Sequence, residues 1–256
     1  MNVPAAVHTS AERMVVAATI GPTIHDVHAW RFAVVPGLIE VRADPVRFRA
    51  LSDPMGRDLH LSSGAALVNL RLAAAQLGHA AVVRLLPDAG RPSVLASVRL
   101  AGRHRITPEE RLLYAASMRA FNAARPAVAE RPPTSVVNEL GEAARLEGAT
   151  LHPLPTTQGT SSQRAVLTTC GDSPVEWLRA GQALQRLLLV GTMRRVSASF
   201  SYQVGDVPGV EGVEGVTQPG EVAQVFVALT QYAHSRLLQP PVGRQHERQG
   251  RWERVG

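Results

Sequence analysis

The chain predicts an α+β fold, and three observations carry that expectation. Long apolar segments of helical period alternate with short runs rich in β-branched residues, a repeat recurs at a spacing of 117 residues, and helix starts are marked by capping residues. The repeat is the most architectural of the three. The run SSGAALVNLRLAAAQLGHAAVVRLL from Ser62 superposes on RAGQALQRLLLVGTMRRVSASFSYQ from Arg179, matching Gly64 with Gly181, Ala66 with Ala183, Leu67 with Leu184, Leu70 with Leu187 and Leu72 with Leu189. Each copy reads as an apolar helix leading into a strand, with a further strand candidate beyond it, Val94 to Leu100 and Val222 to Leu229. Small residues on one side of both helices let two backbones approach closely. The expectation is a single domain over residues 1–234, with related halves of about 1–105 and 106–234, sharing one mixed sheet flanked by helices. A basic arm, 235–256, follows it.

The remaining elements follow in chain order. Thr9 and Glu12 have capping-box spacing, Arg13 to Ile20 reads as a short apolar helix, and Gly21-Pro22 ends it. Trp30 then opens a buried strand through FAVV. His60, ahead of a helix start at Ser62-Ser63, reads as a cap-region or packed histidine. Thr107-Pro108-Glu109-Glu110 combines an N-cap, proline at the first helical position and a capping-box glutamate, opening a helix to about Asn122. Thr134 starts another helix, closed by Gly148. Residues Pro153 to Asp172 are rich in serine and threonine and read as a surface loop. Ser173-Pro174-Val175-Glu176 repeats the capping signal for a long helix through Met193.

Composition narrows the function classes. With 256 residues, 45% hydrophobic and 19% charged, the chain can bury a substantial core, and it has no apolar run near the roughly 20 residues that span a bilayer. No membrane role is expected. The N-terminus lacks a basic start followed by an apolar stretch, so a cytoplasmic location is the default. Cys170 is the only cysteine, which excludes internal disulfides and thiolate-rich zinc sites and leaves it as an ordinary loop residue. All 27 basic residues are arginine, so no lysine is present to form a Schiff base or act as a general base. Arg236, Arg244, Arg248, Arg251 and Arg254 against Glu247 and Glu253 give the arm +3 of the formal +6. Aromatics make up only 4% of the chain and the arm holds only Trp252, which argues against a nucleic-acid platform. There is no GxSxG elbow, no Walker loop and no GxGxxG after a strand, so hydrolase and nucleotidase readings fall away. His25, Asp26 and His28 sit too close together, without a third ligand set by sequence, to define a metal site.

The loop GPTIHDVHAWR, Gly21 to Arg31, resembles the APSxHNxQPW loop of the nitroreductase-like flavoproteins, in the branch typified by the mycobacterial Acg proteins. Pro22, His25 and Trp30 stand, whereas Gly21, Thr23, Asp26, His28 and Ala29 replace the usual Ala, Ser, Asn, Gln and Pro. Taken alone, the same residues form an ordinary helix-to-strand turn. The likeness extends through IEVRADPVRFRALSDPMGRDLHLSSGAALVNLRLAAAQLGHAAVVRLLPD, Ile39 to Asp88, which is similar to the family's ADP turn, DPxGRxL, GAALxNLRLAxxxLG and VxLLPD. It weakens in SMRAFNAARPAVAERPP, where Arg119 matches one arginine of RRxTxR but Met118, Phe121 and Ala123 depart from it. WLRAGQALQRLLLVGT resembles the family's second helix, and PPVGRQ keeps only Arg244 of PPxxRR.

The resemblance implies an FMN-binding oxidoreductase that transfers two electrons as hydride, with NAD(P)H as donor and an unidentified, bulky small-molecule substrate. It also implies a nitroreductase-like fold in which one chain imitates the family's twofold dimer and can function as a monomer, homodimer being the alternative. Backbone groups of Pro22 to Asp26 with the side chains of Thr23, His25 and Asp26 would meet the flavin ring, and Arg119, Asn122 and Arg244 would clasp its phosphate. An ionised Asp26 near the N1–C2=O edge would lower the reduction potential. Read as ordinary surface residues, the arginines are ion-paired instead. No catalytic residue is assigned. The region after Pro155 is shorter than in relatives with a lid, implying an open flavin face. Two other readings stand beside this one: a flavin-sequestering or flavin-free family member, favoured by Met118 and Ala123, and an interaction module using its basic arm.

Overall fold

A computed structural model describes residues 14–15, 29–35, 37–48, 53–118, 129–155, 159–204 and 217–232. Nine strands and five helices make up the described fold. In order they are β1 Trp30–Val35, β2 Leu38–Ala43, α1 Pro45–Phe48, α2 Arg57–Gln76, β3 His79–Leu85, β4 Val94–Arg103, α3 Pro108–Ser117, β5 Ala129–Glu130, α4 Thr134–Arg145, β6 Thr150–Pro153, β7 Gln163–Thr169, α5 Pro174–Met193, β8 Val196–Ser201 and β9 Val222–Tyr232. Met14 and Val15, within the first expected helix, are also helical.

The helix starts follow the capping chemistry. Thr107 accepts from Glu110 N at 3.1 Å while the Glu110 carboxylate accepts from Thr107 N at 2.7 Å, completing a capping box. Ser173 caps α5 through Glu176 N at 3.4 Å. The helix α2 begins earlier than the Ser62-Ser63 signal suggests, at Arg57, because Asp53 takes its free amides: Oδ1 accepts from Arg57 N and Oδ2 from Leu59 N, at 2.9 and 3.0 Å. His60 accordingly lies in the first turn, packed rather than capping. Trp30 is 2% exposed and opens β1 as expected.

The strands correct one expectation. In place of one mixed sheet there are two, and every described strand pair is antiparallel. The first sheet runs β1-β2-β4-β3; in the second, β9 pairs with β7 and β8, β7 with β6, and the two-residue β5 with Gln231 and Tyr232. A second correction concerns residues 153–172. This stretch contains β7, buried from Ala165 to Thr169 between β6 and β9. A strand buried on both faces loses the polar alternation that marks half-buried ones, so it passes for a loop.

Two units of one design emerge. Hairpin, helix and second hairpin give β1-β2-α2-β3-β4 and β6-β7-α5-β8-β9, and their sheets order as β1-β2-β4-β3 and β6-β7-β9-β8. The helices α2 and α5 cross at the centre, each buried nearly all round. The crossing is glycine on backbone. A Cβ on Gly64 would sit 2.1 Å from Leu178 O, and one on Gly181 would sit 1.9 Å from Leu61 O. The contact is reciprocal, since Leu61 and Leu178 stand at the same spacing of 117 as the glycines. Further along, Gln185 donates to Asn69 Oδ1 at 2.8 Å in full burial, and Glu147 accepts from Arg71 of α2 and Arg186 of α5 at 2.7 and 3.4 Å. Leucines 61, 184 and 187 centre one apolar cluster, and Leu67 and Leu70 with Trp30, Ile39 and Val98 the other. Among the described residues no helix is long and apolar enough to cross a membrane.

Candidate functional site

The seven residues assigned to flavin by resemblance, Pro22, Thr23, His25, Asp26, Arg119, Asn122 and Arg244, lie outside the described residues. Their described neighbours fix where two of the three segments attach. The loop ends at Trp30, whose indole N–H donates to Ser62 Oγ of α2 at 2.8 Å and whose ring meets Phe32 edge-on at 5.1 Å. The segment with Arg119 and Asn122 departs from Met118, the half-exposed residue that closes α3, and α3 packs on both α2 and α5. Both segments therefore leave from elements resting on α2.

A polar cluster at the start of α2 joins the halves. The motif Asp53-Pro54-Met55-Gly56-Arg57-Asp58 turns through Gly56, whose φ of 71° suits glycine, and launches Arg57 toward the second half. Arg57 Nη1 donates to Tyr202 O at 2.6 Å; Nη2 donates to Gln224 O and, at 2.9 Å, to Gln224 Oε1. Gln224, fully buried, donates in turn to Gly171 O at 3.1 Å and to Asp172 Oδ1 at 3.4 Å, and the same carboxylate accepts from the Trp177 indole N–H. His60 stacks edge-on against Trp177 at 5.6 Å with Nδ1 2.5 Å from Gly56 O, which places its proton on Nδ1.

The electrostatics of this cluster follow from burial. Desolvation lowers the pKa of His60 below its ordinary value, against the opposing pull of Gly56 O and Asp53, so the ring is held neutral. Desolvation also lowers that of Arg57, with Asp58, Asp172 and Asp53 opposing it. The Tyr202 hydroxyl is buried without a hydrogen bond to any described residue; burial first and the Asp58 charge second push it far above the usual phenol range. It stays protonated. One guanidinium amid three carboxylates, its N–H groups already given to carbonyls, does not fit a phosphate. The cluster is a strap between the halves, with no nucleophile and base in line.

The DPxGRxL motif is visible in the sequence, but nothing in it assigns a role to Asp53 or Arg57. The signal was a lone arginine immediately after a turn glycine at a helix start, too common to point at acceptors 145 and 167 positions away. A separate open cleft of about 540 Å³ is lined by second-half residues, among them Glu130, Arg194, Arg195, Gln231 and Tyr232. Its wall is knitted by its own bonds: Gln231 donates to Arg194 O, Tyr232 N to Arg195 O, and the Arg194 guanidinium engages Glu139. No group of three or more metal-binding side chains occurs among the described residues.

No family model matches the chain. It is similar to two proteins of Mycobacterium tuberculosis, from strains CDC 1551 / Oshkosh and H37Rv, each provisionally named an NAD(P)H nitroreductase. Each is 39% identical over 71 residues, which cover 28% of this chain. The match spans about a fifth, 21%, of the length of those relatives.

Proposed function

We propose that this protein is an oxidoreductase of the nitroreductase type, Acg-like, that binds FMN and passes two electrons as hydride to a bulky small molecule. The observation that carries the reading is the repeated unit, β-hairpin, helix, β-hairpin, packed glycine on backbone at α2 and α5, in a chain similar to NAD(P)H nitroreductases over 71 residues. On this reading one chain stands in for a twofold dimer and needs no partner to complete a flavin site. FMN, when bound, supplies the hydride chemistry. The chain supplies position: Pro22, Thr23, His25 and Asp26 toward the ring, and Arg119, Asn122 and Arg244 toward the phosphate. Trp30, pinned to Ser62, anchors the ring-side loop on α2. The donor is NADH or NADPH, in line with the relatives' names.

Absorbance of the purified, undialysed protein in the flavin bands tests the reading, together with quenching of FMN fluorescence on titration. A colourless preparation that leaves FMN fluorescence unchanged removes it. Bleaching of bound flavin by NADH or NADPH under anaerobic conditions separates catalysis from the second reading, flavin storage. That second reading is favoured by Met118, an exposed thioether at the place where the resembled RRxTxR pattern has an arginine.

A further inference from the structure

The first sheet has one face on α2 and one face away from it. Ile39, Val41, Ala96 and Val98 point to α2 and are buried with Leu67 and Leu70. Alternation along each strand turns the residues between them outward. Register places Arg31 and Arg42 directly opposite one another, Ser97 opposite both Glu40 and Arg84, and Arg99 opposite Leu38 and Val82. With Arg91 in the β3–β4 turn, five arginines, Arg31, Arg42, Arg84, Arg91 and Arg99, share this side with two carboxylates, Glu40 and Asp88.

Both carboxylates are already engaged. Glu40, 2% exposed, accepts from Arg42 and, at 3.1 Å, from Arg91, and Asp88 accepts from Arg91 at 2.9 Å. Arg31, Arg84 and Arg99 are exposed and make no ion pair or hydrogen bond with any described residue. Like charges directly opposite in a ladder destabilise it, so the Arg31–Arg42 pair costs the free protein something that an anion would relieve.

We propose that this face docks an acidic protein, whose carboxylates pair with Arg31, Arg84 and Arg99 as Glu40 pairs with Arg42 and Arg91. The proposal is independent of the redox reading. Three observations select the partner's chemistry. Guanidinium forks match carboxylates in bidentate fashion, and Glu40 shows a carboxylate seated between two of them on this face. The outward side chains between the arginines are small or branched, Ala33, Val35, Leu38, Ala80, Val82 and Ala101, with no aromatic for a base to stack on. None of them is a large apolar wedge of the kind that enters a bilayer. A second copy is disfavoured by the +6 charge both would carry.

Binding of the full chain to poly-L-glutamate, measured at low and at physiological salt, tests this. Wild type binds in a salt-sensitive manner. The triple variant Arg31→Gln/Arg84→Gln/Arg99→Gln, which removes three surface pairings, loses about tenfold in affinity or more. The variant Arg244→Gln/Arg248→Gln/Arg251→Gln, which neutralises the arm, loses less. The face variant also keeps the wild-type unfolding midpoint or exceeds it, because no described partner is orphaned. Unchanged binding by the face variant, a larger loss in the arm variant, or stronger binding of wild type to oligodeoxythymidylate or to phosphatidylserine vesicles at equal anion concentration overturns the proposal.

Discussion

Adding one methyl group at Gly181 is expected to force the two halves apart. A Cβ there would lie 1.9 Å from Leu61 O and 2.7 Å from its carbonyl carbon, where ordinary contact begins at 3.4 Å. Both atoms are backbone of a buried helix, so no rotamer change relieves the clash. The helices must separate by an ångström or so, and the leucines that interdigitate around the crossing, Leu61, Leu178 and Leu184, lose part of their dispersion contacts. Overpacking of this kind costs about 3 kcal/mol or more, and the better helix propensity of alanine offsets about 1 kcal/mol. A net loss of about 2 kcal/mol lowers the unfolding midpoint by about 4–8 °C for a chain of this size. Gly141→Ala is the matched control. It is also helical, its nearest neighbour would be Leu151 Cβ at 4.0 Å, and it should gain about 0.5–1 kcal/mol from reduced backbone entropy alone. Urea unfolding followed by circular dichroism reads both. If the two variants shift the midpoint in the same direction, the glycine crossing does not set the separation of the halves.

The double variant Gly64→Ala/Gly181→Ala should lose less than the sum of its singles, because a separation forced by one methyl accommodates the other; strict additivity in the same assay would contradict a shared contact. Arg57→Gln leaves Tyr202 O and Gln224 O without their donor, at about 1–3 kcal/mol for each orphaned acceptor, and Arg57→Lys should rescue little of it, since one ammonium cannot replace a fork spanning both; full rescue by lysine would refute the strap. Acid should destabilise the protein in two stages. Because burial depresses the His60 pKa, the unfolded chain binds a proton below about pH 6.5 that the folded chain refuses, so stability falls first as pH drops below about 6.5, and His60→Gln should flatten that limb. Burial alone would raise the Glu40 carboxyl, yet the hydrogen bonds and charges of Arg42 and then Arg91 hold it below its ordinary value. Its contribution is therefore present above about pH 4.5 and lost as pH falls further. Urea midpoints at pH 8, 6, 5 and 3.5 resolve the stages, and a flat profile from pH 8 to 5 rules out the first.

Local chemistry was written plainly enough in this chain to read its helices. Thr107 and Ser173 announced α3 and α5, Trp30 announced β1, and the repeat paired Gly64 with Gly181, each of which packs on the opposite helix's leucine backbone at the crossing. These features depend on neighbours within a few positions, or on helical period, and both survive in one dimension. Tertiary structure decided what depends on enclosure and on distance along the chain. Strand β7 hid its period by being buried on both faces, and α2 began at Arg57 because a carboxylate four residues earlier folds onto its amides. Arg57 found its acceptors only when the second half closed over it, and the arginines of the first sheet became one surface only once four strands stood in register. A sequence specifies its caps and periods residue by residue, whereas a shared face or a strap between halves exists only after long-range pairing brings its members together.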